Sequence, residues 1–114
     1  MLEASAVTWL RPAQARDPAA VEAALTGLAA RVDAVHWHVD LDVHDPPIAS
    51  ANGYAARGGL TAEEVHDLLR RTAVHLPVVS ATLASYDPSY DPEGRLRGVA
   101  LDLLEAIAEA AGPL

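Results

Sequence analysis

The stretch His36-Trp37-His38-Val39-Asp40-Leu41-Asp42-Val43-His44-Asp45-Pro46 carries three histidines and three aspartates. On an extended strand alternate residues share a face, so His36, His38 and Asp40 point one way, as does Asp42 if the strand continues. Two carboxylates on one face repel strongly unless a cation lies between them. Carboxylates with imidazole nearby suit a hard to borderline divalent ion such as Mn²⁺. The same residues also read as a zinc pair, His36 and His38, completed by Asp40 or His44. A third reading leaves the acids as solvated loop residues and packs the histidines under a helix.

Composition removes several classes of function. The chain has 114 residues, 51% of them hydrophobic and 21% charged, which fits one folded domain over 1–114 rather than a disordered segment. No run approaches 18 apolar residues, so no membrane span is expected. The N-terminal Met1-Leu2-Glu3-Ala4-Ser5 lacks the basic flank and apolar stretch of a signal peptide, so a cytoplasmic protein is expected. With no cysteine, thiolate catalysis, disulfides and Cys-ligated zinc are excluded. A net charge of −8 would repel a phosphate backbone, which argues against a nucleic-acid partner. All eight basic residues are arginine, and together with the abundant alanine this reads as coding bias rather than an arginine-specific site.

The elements that must position these residues alternate strand and helix. Ala6–Leu10 is β-prone and is stopped by Arg11-Pro12. Asp17-Pro18 opens a helix whose buried stripe is Val21, Leu25, Leu28 and Val32. A second strand spans Ala34 to Asp40, and a loop rich in Pro and Gly runs from Asp45 to Gly59. Thr61-Ala62-Glu63-Glu64 is a capping box, with Leu60 placed to staple onto Val65, and the helix it opens turns Val65, Leu68, Leu69, Thr72 and Leu76 inward. Pro77 stops it before a third strand, Val78–Leu83. Asp91-Pro92 should cap the last helix as Asp17-Pro18 caps the first, with a stripe of Leu96, Val99, Leu103, Leu104 and Ile107 that ends at Gly112-Pro113. Three βα units of this kind predict an α/β fold with a parallel sheet in three layers. Sites in such sheets form at the carboxyl ends of strands, here just after the second and third.

Three motifs, in order, resemble the ureohydrolase family of arginases, agmatinases and formimidoylglutamases. They are the run from His38 to Pro46, the Gly53 loop leading into Gly58-Gly59-Leu60-Thr61, and Tyr86-Asp87-Pro88-Ser89-Tyr90-Asp91. The resemblance covers nearly the whole chain and places it as the C-terminal third of that family, a partial arginase-like fold. It implies a binuclear Mn²⁺ hydrolase that cleaves a C–N bond of a guanidino or amidine small molecule by activating water. Carried over by position, Asp40 matches the carboxylate that bridges the two ions and Asp42 matches one that binds a single ion. His38 falls beside the ligands rather than among them. Asn52, Tyr54 and Ser85 fall at substrate-binding positions.

The sequence departs from the pattern in ways that matter chemically. The family's further metal-binding His and its D-x-H-x-D segment lie upstream of the matched part and are absent from these 114 residues. Two carboxylates cannot neutralise two divalent ions, so the isolated chain is expected to be inactive and to bind Mn²⁺ weakly or not at all. Ser85 stands where the family places an acid against the substrate's guanidinium, and Tyr54 replaces a small hydroxyl residue. A non-catalytic remnant acting as an interaction or structural module is the alternative reading. Either way a partner is expected, as a second copy or as a missing N-terminal ureohydrolase portion, because a core this small is marginal alone.

Overall fold

The computed structural model describes residues 7–43 and 59–111. A single turn, α1 (Pro12–Ala15), leads into α2 (Pro18–Ala29), then β1 (Val35–Asp40) and a 3₁₀ turn over Leu41–Val43. After residue 59 come α3 (Ala62–His75), β2 (Val78–Ala84), a 3₁₀ turn over Pro88–Tyr90 and α4 (Arg95–Ala111). The helix starts follow from local chemistry. Asp17 accepts from the Ala19 amide with Pro18 at the first helical position, as expected from sequence. Thr61 and Glu64 form the reciprocal capping box, each side chain accepting from the other's amide.

β1 and β2 pair in parallel, so the α/β class and the parallel sheet stand. The register matches Val35 with Val78, then His36 with Ser80 and so on to Asp40 with Ala84, which leaves Val79 as a bulged extra residue on β2. One face of this pair is apolar: Val35, Trp37, Val39, Ala81 and Leu83 pack onto a core of Leu41, Leu60, Val65, Leu69, Val78, Leu96, Leu103 and Ile107. α4 packs on β2, α3 on α4, and α2 on α3. Leu96 and Leu103 are wholly buried.

Several expectations meet a different outcome. Residues 7–10 form no strand; Val7 and Trp9 lie exposed, and Arg11 stacks its guanidinium over the Trp9 ring at 5.2 Å. Without a neighbouring strand to complete its hydrogen bonds, a β-prone run has no ladder to join. The face bearing His36, His38, Asp40, Ser80 and Thr82 is exposed, so among the described residues helices cover one side of the sheet only. These side chains are polar, and water solvates them without a helix. α2 ends at Ala29, so Val32 lies beyond it and is exposed rather than completing the stripe. Leu104 points to solvent. α4 starts at Arg95, later than Pro92, because Gly94 turns the chain at φ +71° and Asp91 caps from a distance, accepting from the Leu96 and Arg97 amides. The end expected at Gly112-Pro113 lies outside the described residues.

Candidate metal and substrate site

β1 delivers Asp40 to the carboxyl end of the sheet, and the 3₁₀ turn immediately after it carries Asp42. The strand stops at Asp40, so Asp42 does not arrive by strand alternation. The turn brings it round instead: its amide donates to the Asp40 carboxylate, and the two carboxyl groups lie within hydrogen-bonding reach. β2 ends beside them, and Ser85, the residue after it, donates its hydroxyl to Asp40. That donation is the main reason Asp40 sits below its ordinary carboxylate value. Desolvation works against it, and the Asp42 groups and the nearby His38 add to the lowering.

Ser85 adopts φ +69°, the one residue other than glycine in the left-handed region among those described. A side chain there costs on the order of 1 kcal/mol. The strain turns the backbone sharply between β2 and the Tyr86-Asp87-Pro88 turn while the hydroxyl reaches back to Asp40. The family resemblance marked Ser85 as a substrate-binding position; its strained backbone and its hold on Asp40 carry no sequence signal.

Behind this corner a second polar cluster fixes the turn into α4. Asp91 is buried, takes the Tyr86 hydroxyl at 2.8 Å, and caps α4 through two amides. Burial alone would raise its pKa, but the Arg97 and Leu96 amides and then the Tyr86 hydroxyl outweigh that and leave it lowered. The Asp91 carboxylate in turn raises the Tyr86 phenol. Asp87 caps its own 3₁₀ turn through the amide and hydroxyl of Ser89, which lower its pKa.

Within the described residues the histidine pair gains no third ligand. His36 sits between two β2 hydroxyls, with Nδ1 2.7 Å from Ser80 Oγ and Nε2 3.0 Å from Thr82 Oγ1. Among the described residues no three His, Cys, Asp or Glu side chains are grouped to hold an ion. Asp40 and Asp42 are thus, among the described residues, a pair of carboxylates whose chemistry suits a hard to borderline divalent ion, with no third ligand grouped beside them. His44, Asn52 and Tyr54 lie outside the described residues. A cleft of about 320 Å³ between α2 and α3, lined in part by Arg16, Glu64, Asp67 and Arg71, includes neither Asp40 nor Asp42. No helix among the described residues is long and apolar enough to cross a membrane.

Comparison with known proteins gives this corner its context. Residues 3–109 match the arginase family model. The chain is 36% identical over 94 residues to a formimidoylglutamase of Hahella chejuensis, covering 78% of this chain and 28% of that one. It is 31% identical over 87 residues to an arginase of Bacillus caldovelox, 29% of whose length it covers. The solved arginase of Bacillus caldovelox superposes with a TM-score of 0.69 at 30% identity, over 82% of this chain and 30% of that one. The agmatine ureohydrolase of Thermoplasma volcanium, at 20% identity and a TM-score of 0.66, shares the fold. The chain thus spans about 30% of the length of the relatives it matches. A match that runs through almost every residue, joined to a superposition of the same elements, makes this chain a member of the arginase family.

Proposed function

We propose that this chain is the C-terminal segment of an arginase-like binuclear manganese hydrolase acting on a C–N bond of a guanidino or amidine substrate, and that it is incomplete in isolation. The observation that carries the reading is the meeting of Asp40 and Asp42 at the carboxyl end of β1, in a chain matched to the arginase family over residues 3–109. Bound manganese would supply activated water and Lewis-acid stabilisation of the developing charge. This chain's own part is narrower. Asp40 and Asp42 offer ligand oxygens, Ser85 orients Asp40 and keeps it ionised, and His38 adds a nearby imidazole on the same face. The remaining ligands must come from residues other than those described.

The test is complementation. The isolated chain is expected to show no arginase or agmatinase turnover above buffer, with or without added Mn²⁺. Mixing with an arginase-family N-terminal portion that carries D-x-H-x-D should restore turnover, and Asp40→Ala should abolish it while far-UV circular dichroism stays unchanged. Turnover by the chain alone, or full turnover by the Asp40→Ala mixture, would remove this reading. The second reading, a non-catalytic interaction module, is favoured by Ser85 standing where the family places an acid against substrate. It predicts no turnover in any mixture.

A further inference from the structure

We draw no further inference here: the strongest candidate, the exposed apolar patch that Leu101 and Leu104 form on α4, carries nothing because nothing in the structure shows what covers it.

Discussion

Ser85 and Asp40 show how one side chain can set the state of another across a strand end. The left-handed backbone at Ser85 is affordable because its hydroxyl satisfies a carboxylate that would otherwise face Asp42 with less support. Ser85→Gly and Ser85→Ala separate the two effects. Both lose the hydroxyl, but glycine relieves the strain, so the glycine variant should be more stable than the alanine variant by about 0.5–1 kcal/mol in urea titration. In both, the Asp40 pKa followed by carboxyl NMR should rise, since its largest lowering contribution is gone. The sign for stability follows from linkage. Asp40 is lowered in the folded chain relative to 3.8, so its contribution is present above that value and lost as pH falls through the folded pKa. The Ser85 variants should therefore lose less stability than the parent between about pH 4 and pH 2.

At the scale of elements, helix ends carry much of the specification. The capping box at Thr61 and Glu64 satisfies two amides of α3, and Arg16 extends it by donating to Glu64 at 2.6 Å and to the Gly59 carbonyl at 2.9 Å. Thr61→Ala should cost about 1 kcal/mol, read as a lowered urea midpoint at constant slope. The α2–α3 contact is clasped by Glu22, which accepts from His75 and Arg71, while Arg71 also holds Asp67 one turn back. These pairs are substantially solvated, so the clasp orients the helices more than it stabilises them. Asp91 differs because it is buried and caps α4. Asp91→Asn should lower stability at pH 7 and flatten the acid limb of stability against pH. The parent Asp91 contribution is full above 3.8 and lost as pH falls through its lowered folded value. An unchanged acid limb in Asp91→Asn would show that Asp91 is not part of that transition.

Among the described residues a small core has to hold two strands and three long helices. Leu103 is wholly buried between α4 and the sheet, and Leu103→Ala should cost about 2–5 kcal/mol. Against a total near 5–15 kcal/mol for an ordinary domain, that loss should leave a large unfolded fraction at 37 °C, visible as a lost cooperative thermal transition. The same smallness leaves apolar side chains outside the core, among them Val7 and Trp9 before α1, Val74 on α3, Val79 on β2, and Leu101 and Leu104 on α4.

What the sequence determined by itself was local. Asp17-Pro18, the Thr61 capping box with its Leu60–Val65 staple, the stop at Pro77 and the two parallel strands were legible because caps, breakers and short apolar runs act through neighbours in the chain. The family was legible too, because its motifs are contiguous and ordered. The tertiary structure decided what depends on partners distant in sequence. Residues 7–10 have strand propensity but no strand to pair with, so they stay irregular. Leu104 has the period of the buried stripe, yet it stays exposed although α4 packs on β2 and α3. The Asp40–Asp42 pair arose from a turn rather than from a continued strand, and Ser85 was added to it from the end of the other strand. Spacing can name the two carboxylates, but a parallel crossover through α3 was needed to bring Ser85 to Asp40.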